Sequence, residues 1–483
     1  MKDSIFMGIV RQLLSNPFAR NYLVKKLDRH IYSSFVDNSD PTIHQAKVRK
    51  SQFLSSLLRS ALQNVEKGYF SQQVFKRIFQ LMLKNSYPRK EKNNDSVADF
   101  KDQYGIYPPN FIVLSPTKAC NLKCTGCYAC SDPHSAEKLP YHIVDRIVSE
   151  VRNSFQSHFI VISGGEPFLY KSEGKTLMDL FEKYHDIFFL VYTNGTLITP
   201  EVAERLEKAG NVTPAVSVEG YEKATDARRG RGVYNKILQS FENLRNTGVP
   251  FGISVTATSE NADLLLQDTF YDYFFNRQGA TFMWQFQLMP IGRSNNAFDL
   301  VVPPEKRLEL YRKWESLITE KNYPVADFWN SGVLSNGCIA YGRRGGYFYI
   351  DWNGNIMPCV FVPYYMDNVY DLYQQGKSLV DALFSKIMKN GRQWQERHGH
   401  GYSHPNNPDN WLMPCSIRDH YDSFLKNILP DQAKGESKEA EEMRKDQEYY
   451  KTMVSYDKRL KELTASIWEN EYMQYEADEK VEK

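Results

Sequence analysis

Cys120-Asn-Leu-Lys-Cys124-Thr-Gly-Cys127 is the stretch that decides the fold, and the apolar, β-rich run Phe111-Ile112-Val113-Leu114 shortly precedes it. Three thiols on so short a loop can reach one cubic iron–sulfur cluster, because soft thiolates are the ligands that such centres use. Three ligands on a four-iron cube leave one iron without a protein partner, and an open position on a metal is where chemistry happens. Cys130 adds a fourth thiol, and four thiolates also suit structural zinc. Taken alone, the loop therefore leaves a zinc knuckle open.

Composition narrows the class. A chain of 483 residues has room for two or three cored domains, and 42% hydrophobic with 24% charged residues is the balance of a soluble globular protein. A net charge of +2 gives no reason to expect a nucleic-acid partner. Aromatics at 14% suit a large substrate cavity as well as a filled core. No run is long and apolar enough to span a bilayer, and no signal peptide is expected. Seven cysteines, three of them in one loop, fit cluster ligation in a reducing compartment better than a disulfide framework. The expected address is cytoplasmic.

Residues 1–105 read as helical, with apolar stripes at Ile5, Phe6, Ile9, Val10, Leu13 and Leu14, then Phe53 to Leu62, then Val74 to Leu83. The first segment is basic as well as amphipathic, so the expected helical cap has an alternative, peripheral contact with an anionic membrane surface. Pro88 to Asp102 reads as a linker. From Phe111 the pattern becomes strand, loop, helix. Strands are predicted at 111–116, 158–163, 187–192, 214–218, 250–257 and 281–289, and helices near 141–154, 175–184, 200–209, 233–247, 261–276 and 304–319. Buried, β-branched strands separated by helices form a parallel sheet with helices outside.

The loops after these strands carry the remaining motifs: Ser163-Gly164-Gly165-Glu166-Pro167, Thr193-Asn194-Gly195-Thr196, Ser217-Val218-Glu219-Gly220 and Asp226-Ala-Arg228-Arg229-Gly230. Paired glycines let a backbone approach a ligand closely, and a carboxylate beside them suits an ammonium group. Together with the cysteine spacing, this series resembles the radical S-adenosylmethionine (radical SAM) superfamily. The resemblance implies an α/β fold, a partial (βα)6 TIM-like barrel, with the chemistry at the C-terminal ends of the strands. It implies a [4Fe–4S] cluster on Cys120, Cys124 and Cys127, whose open iron chelates SAM. It also implies that Gly164, Gly165, Glu166 and Pro167 receive the SAM amino group and that Thr193, Asn194 and Ser217 contact the methionine or ribose. Arg228 or Arg229 would pair with the carboxylate. Glu219 stands where the family has Asp, and Gly126 where it often has an aromatic residue that Tyr128 can replace.

Further on stand Cys338, Cys359 and Cys415, with a predicted hairpin from Gly346 to Gly354. This resembles the SPASM or twitch domain, which carries auxiliary iron–sulfur clusters. Three cysteines imply one auxiliary [4Fe–4S] cluster, with a fourth position open or filled by Asp419, His420, His398, His400 or His404. The expected parts are a helical N-terminal region (1–105), a core barrel (106–325), a small C-terminal auxiliary-cluster domain (326–430) and a charged helical or disordered tail (431–483). The implied function is reductive SAM cleavage to a 5′-deoxyadenosyl radical for hydrogen abstraction, an oxidoreductase-type chemistry fed by a reductase, flavodoxin or ferredoxin. The leading substrate is a peptide or protein. The alternatives are a lipid, an isoprenoid or a small-molecule cofactor precursor, and, from another class, a non-catalytic iron–sulfur redox protein.

Overall fold

The computed structural model describes residues 16–38, 42–85, 95–401 and 408–474. The apolar stripe from Ile5 to Leu14 and the candidate ligand His404 lie outside these residues. Helices α1 (Pro17–Phe35), α2 (His44–Glu66), α3 (Gln72–Asn85) and α4 (Asp95–Tyr104) come first. The barrel units follow: β1 (Phe111–Leu114), α5 (Tyr141–Asn153), β2 (Phe159–Ile162), α6 (Leu177–Lys183), β3 (Phe188–Thr193), α7 (Pro200–Ala209) and β4 (Val212–Ser217). After them come α8 (Glu222–Arg229), α9 (Val233–Thr247), β5 (Gly252–Ala257), β6 (Met283–Gln287), α10 (Pro304–Thr319) and β7 (Val325–Asp327).

All six predicted strands are present, and β1 to β7 run parallel in sequence order. Their outward side chains (Ile112, Leu114, Ile160, Ile162, Val191) join the large core beneath the helices, and the inward ones (Val113, Val161, Leu190, Ala215) line the barrel. Local signals set the helix ends. In α7 the Thr199 hydroxyl accepts the Val202 N–H at 3.3 Å, Pro200 opens the helix, and Gly210 at φ 71° closes it. One predicted helix differs: 261–276 breaks into short turns instead of a single α-helix.

The sheet does not stop at the sixth strand. Beyond β7, strands β8 (Tyr347–Ile350), β9 (Asn355–Met357) and β10 (Asp367–Asn368) extend it from the other edge, giving the order β10-β9-β8-β1-β2-β3-β4-β5-β6-β7. Strand β8 runs parallel to β1, with Phe111 opposite Tyr347 and Leu114 opposite Ile350. The predicted hairpin is β8–β9, turning at Gly354 with φ 81°.

Three expectations fail on packing. The linker region contains α4, because Phe100 and Tyr104 find rings to cover, Phe155 at 6.0 Å and Phe384 at 6.3 Å. In α2 the predicted apolar stripe is only partly buried. The face against the barrel is mixed: Phe53 packs on Trp284 at 6.2 Å, while Ser56 donates to Ile318 O at 3.1 Å and Asn64 to Gly279 O at 2.9 Å. The tail is no solvated helix. It forms α11 (Gln447–Ile467), which packs on α10 with Met453, Leu460 and Ile467 buried, and the next turn buries Trp468 and Tyr472. Tyr472 meets Tyr311 hydroxyl to hydroxyl at 2.9 Å, and Trp468 lies against Trp411. Trp468→Ala is therefore expected to cost about 3–5 kcal/mol in urea unfolding. A loss near zero would return this segment to the solvent.

Candidate functional site

The cysteine loop follows β1 at the C-terminal end of the sheet, and its backbone is gripped from several strand ends. From β2, Gly165 N–H donates to Thr117 O at 2.9 Å and Glu166 N–H to Ala119 O at 2.8 Å. A Cβ on Gly165 would sit 2.3 Å from the carbonyl oxygens of Lys118 and Ala119, and one on Gly164 would sit 2.5 Å from Thr117 O. The glycine pair thus makes room for the loop that carries Cys120. From β3, the Asn194 amide donates to Asn121 Oδ1 at 2.9 Å and lies 3.8 Å from Cys120 Sγ, while Asn121 donates to Thr196 at 2.8 Å.

From the far side, Thr125 N–H donates to Arg228 O at 2.9 Å and Arg228 Nε returns a bond to Thr125 O at 3.2 Å. Arg293, just after β6, donates to Cys124 O at 2.6 Å and Ser131 O at 2.7 Å, and its backbone N–H donates to Cys127 O at 3.0 Å. Sequence reasoning missed Arg293. Its place at a strand end, in Pro290-Ile-Gly-Arg, was the available signal. Gly126 adopts φ 66°, a conformation that an aromatic side chain rarely takes. Tyr128 turns its hydroxyl to Ser163 Oγ at 2.9 Å and its ring edge-on to Phe361 at 5.7 Å.

Glu166 is fully buried, accepting from Thr193 Oγ1 and Asn194 N–H at 2.8 Å and from Phe168 N–H at 3.1 Å. Burial raises its carboxyl to about 7 against the pull of those bonds and of Arg229. Two of the donors sit on Oε1 and one on Oε2, which leaves an acceptor position on Oε2. Glu219, 2% exposed, is the shared anion of Arg228 and Arg229 and also accepts Thr256 N–H at 3.1 Å. The Arg229 guanidinium, drawn in by Glu219, also has its charge near the Cys124 and Cys127 thiols. Pro167 is buried in the turn after Glu166, and Ser217 is half-buried at the end of β4. Burial pushes the Cys120 thiol up to about 12, with Leu122 N–H pulling it down and Glu166, Cys124 and Cys127 adding to the rise.

The radical SAM superfamily model matches residues 114–264, from the end of β1 to beyond β5. The mycofactocin maturase MftC of Mycolicibacterium smegmatis is 28% identical over 303 residues, 60% of this chain and 73% of that one. The AdoMet-dependent heme synthase of Methanosarcina barkeri is 27% identical over 292 residues, 54% of this chain and 79% of that one. In fold, the chain is similar to Streptococcus suis SuiB bound to the precursor peptide SuiA, with a TM-score of 0.52 and 16% identity over 81% of this chain and 92% of that one. Residues 114–264 are thereby identified as a radical SAM domain.

Beyond the radical SAM domain, the second cysteine group comes from three separate segments. Cys338 precedes β8, Cys359 follows β9 and Cys415 follows the last described loop, yet the Cys415 thiol feels the charge of the other two. Tyr347 Oη lies 3.0 Å from Cys359 Sγ, and burial pushes that thiol up to about 11. The indole N–H of Trp329 is buried without a hydrogen-bond partner among the described residues. Among the described residues no three His, Cys, Asp or Glu side chains converge on a point for a single ion. The donor chemistry at both groups fits iron–sulfur clusters: soft sulfurs, with buried N–H and O–H donors beside them.

Each candidate fourth ligand among the described residues makes at least one hydrogen bond. Asp419 is locked by Arg307, both fully buried, at 2.6 and 3.2 Å, and also accepts Cys415 N–H at 3.0 Å. His420 donates to Met413 O at 2.8 Å, His398 donates to Trp394 O at 2.7 Å, and His400 Nδ1 accepts Cys338 N–H at 3.3 Å. Gly165→Ala, whose new methyl meets two carbonyl oxygens, is expected to displace the cysteine loop and lower the iron bound per chain, at a folding cost of about 1–3 kcal/mol. Iron analysis of the reconstituted variant checks this, and full loading would show that the loop tolerates the methyl.

Proposed function

We propose that Cys120, Cys124 and Cys127 hold a [4Fe–4S] cluster at the barrel mouth and that SAM binds beside it, against Gly164 to Pro167, Thr193, Asn194, Ser217 and the Glu219–Arg228–Arg229 group. A second [4Fe–4S] cluster is assigned to Cys338, Cys359 and Cys415. The observation that carries the reading is the convergence of strand ends on the backbone of the cysteine loop, with Glu166 and Arg229 brought to its thiols. When bound, the cluster supplies the electron that cleaves SAM to the 5′-deoxyadenosyl radical used for hydrogen abstraction.

The chain's own residues bind, orient and shield. Glu166 offers its open Oε2 to the ammonium of SAM, and Arg229, balanced by Glu219, offers positive charge to the carboxylate. Arg293 and Arg228 hold the loop carbonyls so that the thiols keep their relative places. Tyr128, Tyr192, Phe286 and Trp284 wall the barrel and exclude water from a reactive radical.

The proposed substrate is a peptide or protein, supported by relatives named as maturases: MftC, and the sporulation killing factor maturation protein SkfB of Bacillus subtilis. A second reading, modification of a small-molecule cofactor precursor, is favoured by the relatives named heme synthases. A flavodoxin, ferredoxin or reductase is the proposed electron donor.

Peripheral membrane contact is a further part of the proposal. On α1, Phe18 is 88% and Tyr22 68% exposed, with Lys25, Lys26 and Arg29 also exposed. No helix among the described residues is long and apolar enough to cross a membrane. Aromatic and basic side chains sharing an exposed face suit an anionic surface.

Under reducing, anaerobic conditions the reconstituted protein is expected to form 5′-deoxyadenosine from SAM. Replacing Cys120, Cys124 and Cys127 together by Ala is expected to abolish this while sparing the second cluster, and residual cleavage would sink the assignment. An ammonium needs an ionised Glu166, so SAM affinity is expected to rise as pH rises through about 7. Glu166→Gln should flatten that profile in equilibrium binding. Co-sedimentation with anionic vesicles should weaken on Lys25→Glu with Lys26→Glu, and equal pelleting by both proteins would remove the membrane contact.

A further inference from the structure

The phenol of Tyr347 has no part in SAM cleavage, yet its place is tightly fixed. It opens β8, whose register against β1 sets the backbone, and its ring stacks on Phe111 at 5.1 Å and 14°. Its hydroxyl then lies 3.0 Å from Cys359 Sγ. Ring stack and strand pairing, not the sulfur contact, hold the phenol there. Beside a neutral thiol a phenol can donate or accept, but beside a thiolate ligand it can only donate. Phe361 N–H reaches the same sulfur at 3.5 Å.

We propose that Tyr347 is a positioning residue that donates its O–H to the Cys359 sulfur and so raises the reduction potential of the cluster on Cys338, Cys359 and Cys415. The proposal rests on the auxiliary-cluster reading above. One-electron reduction adds negative charge to a cluster and its sulfurs, and a hydrogen-bond donor stabilises that more negative state. Burial strengthens the effect, because little water competes for the sulfur. In the cysteine loop, Cys120 Sγ meets Leu122 N–H at 3.4 Å and the Asn194 amide at 3.8 Å, weaker contacts than a phenol at 3.0 Å. The stronger of these contacts stands on the auxiliary side.

Tyr347→Phe keeps the ring and its stack on Phe111 and removes only the hydroxyl. Iron in the anaerobically reconstituted full chain is counted first. About eight irons per chain mean two clusters, whereas about four mean that the auxiliary-cluster reading has failed and this proposal with it. With two clusters present, a potentiometric EPR titration is expected to move the auxiliary midpoint to a more negative potential in Y347F and to leave the SAM-binding cluster where it was. An unmoved auxiliary midpoint overturns the proposal. So does an equal shift at both clusters, the same shift from Tyr349→Phe on the same strand, or loss of auxiliary iron from Y347F.

Discussion

At the mouth of the barrel there is space for a backbone and for nothing more between residue 165 and the carbonyl oxygens of Lys118 and Ala119. The two strand ends meet there main chain to main chain, through the bonds from Gly165 and Glu166 to Thr117 and Ala119. That contact sets the height of the cysteine loop over the sheet. It also sets the position of Glu166 relative to Cys120, since the carboxyl follows the paired glycines directly. A hydrogen bond between side chains could stretch to accommodate change, but a contact between two peptide planes at this distance cannot.

Charge does the rest of the holding, and it does so where water is excluded. Glu219 draws Arg228 and Arg229 into one buried group that touches the loop at Thr125 and the strand at Thr256. Arg307 and Asp419 do the same for the segment that carries Cys415, with Asn330, Trp329 O and Leu412 O filling the other guanidinium positions. Buried ion pairs contribute little net stability, because desolvation offsets their attraction, but they are exacting about geometry. In both places the geometry being specified is that of a cysteine-bearing loop.

The six strands of the barrel and most of its helices were legible because each carries its own signal: β-branched runs, a threonine cap, a proline at a first turn, a glycine at a last one. The motifs at the strand ends were legible for a related reason, since their order along the chain is their order around the rim. What escaped were properties of contact. Arg293 is one arginine among many until β6 brings it to the carbonyls of Cys124 and Ser131. Ser56 and Asn64 look like the solvent side of a helix, and only the polar edge of the barrel turns them inward. The tail misled through its lysines and glutamates, which face solvent while Met453, Leu460 and Trp468 are buried on its other side. Asp419 and His420 had the right chemistry for ligands, but the bonds they make to Arg307 and Met413 O were not legible.

Strand β1 is shared property. One of its edges belongs to β2 and the first cysteine group, and the other belongs to β8 and the hairpin that leads to Cys359. The C-terminal segment is for that reason no cassette that could be clipped off or exchanged whole. Its excision would strip one side of the strand on which the SAM-binding loop is built and expose a row of backbone groups to any passing chain. A lineage could shed Cys338, Cys359 and Cys415 one by one, yet it would have to keep the hairpin that bears them.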